Sequence, residues 1–244
     1  MTRMKHALFI LPNAFTVSSI FCGIYAILHS VTATNPEALY QSAIAIFLAG
    51  FFDMFDGRIA RMTKTQSEFG VQLDSLADVI SFGVAPAIVV FKWALWPLGT
   101  WGIFAAFFYA ACGAIRLARF NVAAARETKS DGFFTGLPIP LAASTLIALI
   151  IAHFKLFGDL PVQRHMMVFS LMLLLGLLMV STVPYWSFKD LRLDAKTATL
   201  LLILILMVGV VGIFYPASIS LVLLLGGYIV AGLGRALVIK MFPF

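Results

Sequence analysis

Charged residues are scarce in this sequence: they make up 11% of its 244 residues, against about 25% in soluble domains. Hydrophobic residues make up 61%, and the mean hydropathy is +1.00. A soluble protein of this composition could not cover its surface with polar groups, and a disordered chain is rich in charge rather than in aliphatic side chains. The shortage of charge therefore excludes both classes and indicates an integral membrane protein.

Cysteine, glycine and proline are also scarce. The two cysteines, Cys22 and Cys112, both lie in apolar runs, which excludes a disulfide framework and a zinc cluster. Eighteen glycines and ten prolines are too few for a fibrous repeat. The net charge of +6 is compatible with a nucleic-acid partner, but on a hydrophobic chain basic residues are more typical of the cytoplasmic side of a membrane. We therefore expect no nucleic-acid partner.

What the sequence does contain is a series of apolar segments. A helix that crosses the bilayer needs about 20 mainly apolar residues. Eight such segments are predicted, at residues 12–33, 38–61, 70–93, 98–119, 137–157, 165–184, 197–215 and 218–239. We interpret the chain as a polytopic all-α membrane protein whose residues 1–244 form a single transmembrane domain.

Lysine and arginine orient these helices. If the N-terminus lies in the cytoplasm, 14 of the 17 basic residues fall at cytoplasmic helix ends, and the three exceptions are Lys92, Lys155 and Arg164. Cytoplasmic loops of membrane proteins carry an excess of Lys and Arg. The distribution therefore predicts an even number of spans, with both termini in the cytoplasm.

Four of the eleven acidic residues fall in or at the ends of these hydrophobic helices: Asp53, Asp56, Asp74 and Asp78. A carboxylate at membrane depth costs about 2.5–3.5 kcal/mol, so we expect something other than lipid to compensate for them. Spacings of three and four residues put each pair on one helix face. Because a short loop joins the two helices, we expect them to be antiparallel neighbours whose four carboxylates face one another in a cavity open to the cytoplasm.

Four adjacent carboxylates repel one another unless protons or cations intervene. All-oxygen ligand sets favour Mg²⁺, Mn²⁺ or Ca²⁺, and magnesium-type ions commonly share their sites with substrate phosphates. Two other interpretations remain open on these grounds alone. The carboxylates could be buried for structural reasons, or they could relay protons or cations in a transporter.

The residues between the acids favour a phosphate-containing substrate. Gly57, Ala60 and Gly70 leave room on the acidic faces for a bulky ligand, although close helix packing also uses small residues. Arg61 can donate two hydrogen bonds to a phosphate, although it would also serve as a positive anchor at the cytoplasmic side. A diphosphate bridged by two metal ions needs all of these groups.

The pattern resembles the signature of the CDP-alcohol phosphatidyltransferases. Its eight specified positions are all present, as Asp53-x2-Asp56-Gly57-x2-Ala60-Arg61-x8-Gly70-x3-Asp74-x3-Asp78. Enzymes of this family transfer a phosphatidyl group from CDP-diacylglycerol, or a phospho-alcohol from a CDP-alcohol, to an acceptor hydroxyl and release CMP. The resemblance implies a homodimer with a catalytic six-helix core, which would cover residues 10–185 here, followed by a two-helix extension over residues 186–244.

The resemblance also implies roles for individual residues. Two divalent cations, Mg²⁺ or Mn²⁺ with Ca²⁺ as a third option, would be held by Asp53, Asp56, Asp74 and Asp78. Asp78 would also be the catalytic general base. CDP-diacylglycerol would be bound by Gly57, Ala60, Arg61, Gly70, Asn13 and Thr16. For Asn13 and Thr16, at the cytoplasmic end of the first helix, a capping role is the alternative.

Four further segments resemble the branch of the family that uses serine as the acceptor: PNAFT at 12–16, SFGVAPA at 81–87, AIRLARFNV at 114–122 and FTGLPIP at 134–140. The implied reaction transfers the phosphatidyl group to the hydroxyl of L-serine and yields phosphatidylserine and CMP. The implied setting is phospholipid biosynthesis in the cytoplasmic membrane of a prokaryote, with the active site facing the cytoplasm and membrane lipids around it.

Residues in these segments are compatible with serine. Arg116 and Arg119 lie three residues apart, and a guanidinium recognises a carboxylate well. A phosphorylated acceptor would suit them too, and either arginine alone could instead be a positive anchor at the cytoplasmic side. Asn121, Thr135 and Gly136 could complete a polar pocket, with capping and turn formation as their alternative. The nearest alternative function is a sister enzyme that uses glycerol 3-phosphate, inositol phosphate or choline. The alternative from another class is a cation or proton transporter.

Overall fold

The structure, a computed structural model, describes residues 2–63, 67–125, 133–186 and 217–241. Most of these residues are helical. The helices are α1 (Thr2–Val31), α2 (Pro36–Thr63), α3 (Glu68–Asp78), α4 (Ala85–Val90), α5 (Thr100–Ala125), α6 (Ile139–Phe157), α7 (His165–Val180) and α8 (Ala217–Met241). A π-helical segment, Val79–Val84, joins α3 to α4, and a second, Phe91–Leu95, continues into the 3₁₀ turn Trp96–Leu98.

Five helical stretches in the described residues are long and apolar enough to cross a membrane: Asn13–Val31, Pro36–Ile59, Glu68–Leu98, Thr100–Ala124 and Ile139–Phe157. The shorter helix α7 and residues Ser218–Gly234 of α8 are apolar as well. The prediction of a helical, multi-pass membrane protein is therefore confirmed. Seven of the eight predicted helices are present, and the remaining segment, 197–215, lies outside the described residues.

Two short strands depart from the sequence-based interpretation. β1 (Phe133–Thr135) and β2 (Pro184–Trp186) form an antiparallel pair, and α7 ends at Val180 instead of reaching residue 184. Proline lacks an amide hydrogen and disfavours helical backbone at the residue before it. Pro184 therefore ends the predicted helix early, and the chain that follows pairs with the strand leading into α6.

The helices pack in pairs, with α1 along α2, α5 against α7 and α6 against α8. Helix α1 also contacts α3 and the segment Val79–Val84. The backbone of α1 lies close to that segment, because a Cβ added to Gly23 would lie 2.9 Å from Oγ of Ser81. Ser81 donates a hydrogen bond to the carbonyl of Ser19 at 2.9 Å. These small residues fix the backbone that directly follows Asp78 against α1.

Pro86 lies inside the long helical stretch without leaving a carbonyl unpaired. Proline has no N–H to donate to the carbonyl four residues earlier, which here belongs to Phe82. The hydroxyl of Tyr109, from α5, donates to that carbonyl at 3.1 Å. Both Tyr109 and Phe82 are buried, so α5 is tied to the stretch that contains α3 and α4.

Candidate active site

Three aspartates converge where α2 faces α3. Asp53 and Asp56 come from α2 and Asp74 from α3, and one carboxylate oxygen of each lies within 4.8 Å of those of the other two. Asp56 is buried, with 5% of its surface exposed, and the other two are half-buried. Helices α2 and α3, which a loop separates in the sequence, thus bring three carboxylates close together.

Asp78 joins this group through Asp53. The two side chains are within hydrogen-bonding reach of each other, and Asp74 also acts on Asp78 electrostatically. Oδ1 of Asp78 is buried and has no hydrogen-bond partner among the described residues. Arg116 of α5 is a cation whose charge acts on Asp78. The four aspartates therefore form one cluster with an arginine on the side of Asp78.

The cluster suits a divalent cation. Carboxylate groups this close repel one another unless a proton or cation lies between them, and oxygen ligands from aspartate are the set that Mg²⁺, Mn²⁺ and Ca²⁺ prefer. The buried oxygen of Asp78 is a further acceptor, and no donor reaches it from the residues that the structure describes. The residues present thus fit a divalent metal site.

Thr16 supports the cluster from α1. Its hydroxyl donates a hydrogen bond of 2.7 Å to Oδ2 of Asp56, and it is buried, with 4% of its surface exposed. The sequence had suggested Thr16 as a contact for the bound nucleotide or as a cap. The bond to Asp56 indicates a supporting role for Thr16, because a hydrogen bond to a metal-ligating carboxylate fixes the orientation of that carboxylate.

Replacing this hydroxyl should weaken metal binding. We expect Thr16→Val to raise the Kd for Mn²⁺ about 10-fold, the lower end of the usual cost of losing a partner of a metal ligand. Titration of the purified protein in detergent, with free Mn²⁺ followed by electron paramagnetic resonance, measures this. Thr145→Val is the matched control, because the Thr145 hydroxyl donates to the carbonyl of Leu141 in its own helix at 2.9 Å. Equal affinities in both variants would contradict a supporting role for Thr16.

The residues predicted to contact the nucleotide lie next to the aspartates. A Cβ on Gly70 would stand 3.6 Å from Oδ1 of Asn13, so the start of α3 lies against α1. Gly70 donates its N–H to Oγ of Ser67 at 3.0 Å, which caps α3. Gly57 is half-buried on α2 beside Asp56. Ala60 and Arg61 follow on α2, and their side chains lie outside the described part of the structure.

The two arginines of α5 have different surroundings. Arg116 is buried, with 6% of its surface exposed, and its Nε has no hydrogen-bond partner among the described residues. Arg119 donates from Nη1 to the carbonyl of Val180 at 2.9 Å and from Nη2 to that of Ser181 at 3.1 Å. The last carbonyls of a helix carry partial negative charge. Arg119 therefore caps α7, whereas the charge of Arg116 acts on Asp78.

Gly136 lies at the same end of α7. It has a φ of +83°, and a Cβ there would collide with the carbonyl of Met179 and lie 3.2 Å from Nη2 of Arg119. Its N–H donates to the carbonyl of Val183 at 2.9 Å. Only glycine combines this backbone conformation with so close an approach. Gly136 and Arg119 thus hold the turn before α6 against the end of α7.

The remaining predicted pocket residues lie on either side of this turn. Asn121 donates to Oγ of Ser75 at 2.9 Å, linking α5 to the helix face between Asp74 and Asp78. Thr135 is the last residue of β1, and its side chain lies outside the described part. The interpretation of Thr135 as a helix cap is wrong, because α6 begins at Ile139 with Pro138 at its N-cap.

Sequence reasoning missed the contact between two tyrosines. The ring of Tyr228, from α8, stacks on that of Tyr185 with centroids 5.6 Å apart. Tyr185 is the last residue of the predicted six-helix core, and Tyr228 lies outside that core. Packing between chain segments that are far apart in the sequence brings the two rings together.

Comparison with known proteins shows the family of this chain. The family model described as CDP-alcohol phosphatidyltransferase matches residues 9–233. The CDP-diacylglycerol–serine O-phosphatidyltransferase of Helicobacter pylori is 35% identical over 228 residues, which cover 93% of this chain and 91% of that protein. The enzyme of that name from Bacillus subtilis is 37% identical over 57% of this chain and 74% of its own length. The one from Saccharomyces cerevisiae is 38% identical over 62% of this chain and 58% of its own length. The chain therefore belongs to the CDP-alcohol phosphatidyltransferase family.

Proposed function

We propose that this protein transfers the phosphatidyl group of CDP-diacylglycerol to the hydroxyl of L-serine, giving phosphatidylserine and CMP. The observation that carries this function is the convergence of Asp53, Asp56 and Asp74 within 4.8 Å in a membrane protein of this family. Support for serine as the acceptor comes from the similarity to serine-using enzymes, which extends over nearly the whole chain in one of them. The protein is thus a transferase of phospholipid biosynthesis.

The aspartate cluster is the proposed site of two divalent cations, Mg²⁺ or Mn²⁺ with Ca²⁺ as an alternative. Asp53, Asp56, Asp74 and Asp78 supply the oxygen ligands. Two cations bound there would neutralise the diphosphate of CDP-diacylglycerol and stabilise the departing CMP. The fold contributes the alignment of α2 with α3 and the hydrogen bond from Thr16 that orients Asp56.

Asp78 is the proposed general base. The serine hydroxyl attacks the β-phosphorus, its proton passes to the carboxylate of Asp78, and a new P–O bond forms. The bond from the β-phosphorus to the CMP oxygen breaks, and its electron pair leaves with CMP. A carboxylate in hydrogen-bonding reach of the attacking hydroxyl can take up that proton. The buried position of Oδ1 of Asp78, without a donor among the described residues, leaves it available for this bond.

The nucleotide and the lipid chains are assigned to successive stretches of α2. Asn13, Gly57, Ala60, Arg61 and Gly70 lie towards the end of α2 and the start of α3, where the cytidine and its phosphates would lie. Thr16 lines the same side through its bond to Asp56. An apolar cavity of about 310 Å³ between α2, α6 and α8 begins beside Met54, next to Asp53, and it suits an acyl chain.

The acceptor side is assigned to the end of α5 and the turn before α6. Arg116, whose charge acts on Asp78, would bind the serine carboxylate, because a guanidinium pairs well with a carboxylate. Arg119 and Gly136 shape this side by holding the turn against α7. Asn121 positions the face of α3 through Ser75, and Thr135 would complete the pocket.

The arrangement in the membrane is also part of the proposal. We propose eight membrane spans in a single domain, residues 1–244, with a catalytic core over 10–185 and an extension over 186–244. Both termini and the active site would face the cytoplasm of a prokaryote, in whose cytoplasmic membrane the protein would form a homodimer. The support is the concentration of lysine and arginine at alternate helix ends and the bacterial relatives.

An acceptor panel tests the function. Purified protein is incubated with CDP-diacylglycerol, Mn²⁺ and one of four alcohols: serine, glycerol 3-phosphate, inositol phosphate or choline. We expect CMP release and a phosphatidylserine product with serine alone. CMP release with another alcohol and not with serine would make the protein a sister enzyme of the family. Ion flux in sealed vesicles, together with no turnover of CDP-diacylglycerol, would make it a transporter.

A further inference from the structure

Two buried serines link α1 to the stretch of chain that follows Asp78. The hydroxyl of Ser81 donates to the carbonyl of Ser19 at 2.9 Å, and the hydroxyl of Ser19 donates to that of Ser81 at 3.3 Å. Ser81 is fully buried, and 1% of Ser19 is exposed. A carbonyl can only accept, so the proton of Ser81 is committed to Ser19 and the oxygen of Ser81 accepts from the Ser19 hydroxyl. This serine pair, Ser19 with Ser81, thus links two segments that are 62 residues apart.

The backbones of the two segments approach each other beside the serine pair. A Cβ added to Gly23, one turn after Ser19, would lie 3.0 Å from Cα of Ser81. Glycine therefore allows α1 to come this close. Protein interiors are packed as densely as organic crystals and transmit strain, so the position of Ser81 depends on α1 as well as on its own helical stretch.

The same side of α1 also holds a proposed metal ligand. Thr16 precedes Ser19 by three residues, which places their side chains on one side of the helix. Thr16 donates to Oδ2 of Asp56 at 2.7 Å, and Asp56 belongs to the group of three carboxylates within 4.8 Å. The serine pair holds the chain three residues after Asp78. One side of α1 is thus a common support for the metal ligands and for the proposed base.

The helix geometry changes directly after Asp78. Asp78 is the last residue of α3, and the π-helical segment Val79–Val84 follows it. At the end of this segment the N–H of Ala85 bonds the carbonyl of Ile80, five residues earlier. Such wide turns are rare in proteins and occur frequently at functional sites. Ser81 lies inside the turn, so its hydrogen bond to α1 fixes the segment from which the end of α3 continues.

We infer that Ser19 and Ser81 are positioning residues for the proposed general base, and that the serine pair holds Asp78 in place relative to the metal ligands. The inference rests on the proposed function. Neither serine belongs to the eight signature positions, and both act through Asp78. Attack on the β-phosphorus requires the base, the attacking hydroxyl and the phosphate to be aligned, and a misplacement of about 1 Å can reduce a rate about 10²-fold.

Ser81→Ala tests the inference because it removes the hydroxyl and keeps the Cβ that lies near Gly23. We expect the rate constant of a single turnover to fall about 10-fold. The KM values for serine and for CDP-diacylglycerol should stay within about 2-fold of wild type, because substrate binding is unchanged. Rapid-quench measurement of CMP release by the purified protein in detergent gives the rate constant. A variant that merely folded less well would keep that rate constant and lose amplitude, because fewer molecules would be active.

A double variant distinguishes a pair from two independent residues. Ser19→Ala removes the donor to Ser81 but keeps the carbonyl that accepts from it, so we expect a smaller loss of about 3-fold. With Ser81→Ala in place, the hydroxyl of Ser19 has already lost its acceptor, so adding Ser19→Ala should cause no further loss. Residues of one hydrogen-bonded network show such non-additivity. A double-variant loss equal to the product of the two single losses would overturn the inference.

Ser42→Ala is the matched control. Ser42 is also fully buried, but it donates to the carbonyl of Ala38 in its own helix at 2.8 Å, and it lies eleven residues before Asp53. We expect its single-turnover rate constant to stay within about 2-fold of wild type. Equal rate constants in Ser81→Ala and Ser42→Ala would overturn the inference. If the wild type released no CMP with serine, the proposed function would fail before any variant was compared, which is a separate result.

Discussion

Asp78→Asn should abolish turnover while leaving binding of CDP-diacylglycerol measurable. Asparagine has nearly the same shape as aspartate but cannot accept the proton of the attacking hydroxyl. A general base contributes about 10²–10⁴-fold to a rate, and the substitution also removes a carboxylate from the metal cluster. We therefore expect kcat to fall by about 10³-fold or more. Single-turnover CMP release measures the chemical step, and equilibrium binding of labelled CDP-diacylglycerol measures the retained affinity.

Glu68→Gln is the control for this variant. Glu68 is exposed at the start of α3, the helix that ends at Asp78, so the same change from acid to amide is made on the same helix away from the cluster. It should leave kcat within about 2-fold of wild type, as surface substitutions away from the site usually do. Full activity in Asp78→Asn would remove Asp78 as the base and leave it only a metal ligand.

Exhaustive removal of divalent cations should also abolish activity. The diphosphate carries negative charge into a cluster of four carboxylates, and without cations those charges repel one another. We expect CMP release to fall below detection after chelation and to return on addition of Mn²⁺ or Mg²⁺. In Asp53→Asn, cation concentrations that restore the wild type should fail to restore activity, because Asp53 contacts Asp78 as well as lying beside Asp56 and Asp74.

Asp159→Asn serves as the comparison for Asp53→Asn. Asp159 lies in the exposed turn after α6, away from the aspartate cluster, so its variant should regain full activity with the cations that restore the wild type. CMP release that persisted after exhaustive chelation would mean that the carboxylates act without metal ions. A normal cation requirement in Asp53→Asn would exclude Asp53 as a ligand.

The aspartate cluster could be anticipated from the sequence because its residues lie close together along the chain. Spacings of three and four residues place Asp53 with Asp56, and Asp74 with Asp78, on single helix faces, and the cost of carboxylates in a membrane requires a common partner. A short loop between the two helices then limits how far apart the pairs can be. Composition and helix length predicted the apolar spans in the same way.

Contacts between distant segments could not be anticipated in this way. Nothing in the local sequence distinguishes Arg116 from Arg119, yet Arg119 caps α7 and Arg116 is buried. Thr16 was a candidate for the nucleotide, but its partner is Asp56, forty residues away. Tyr228 stacks on Tyr185 because α8 packs on α6 and contacts β2. The hydropathy pattern had predicted no strand there.

The π-helical turns of Val79–Val84 determine where the protein could tolerate a change in length. A residue in an α-helix turns the chain by about 100°, and a π turn contains one residue more than an α turn. Deleting one residue from Val79–Val84 would remove that surplus and leave the flanking helices in phase. The same deletion between Asp74 and Asp78 would rotate one carboxylate about 100° relative to the other. A one-residue deletion should therefore be tolerated better in Val79–Val84 than between Asp74 and Asp78.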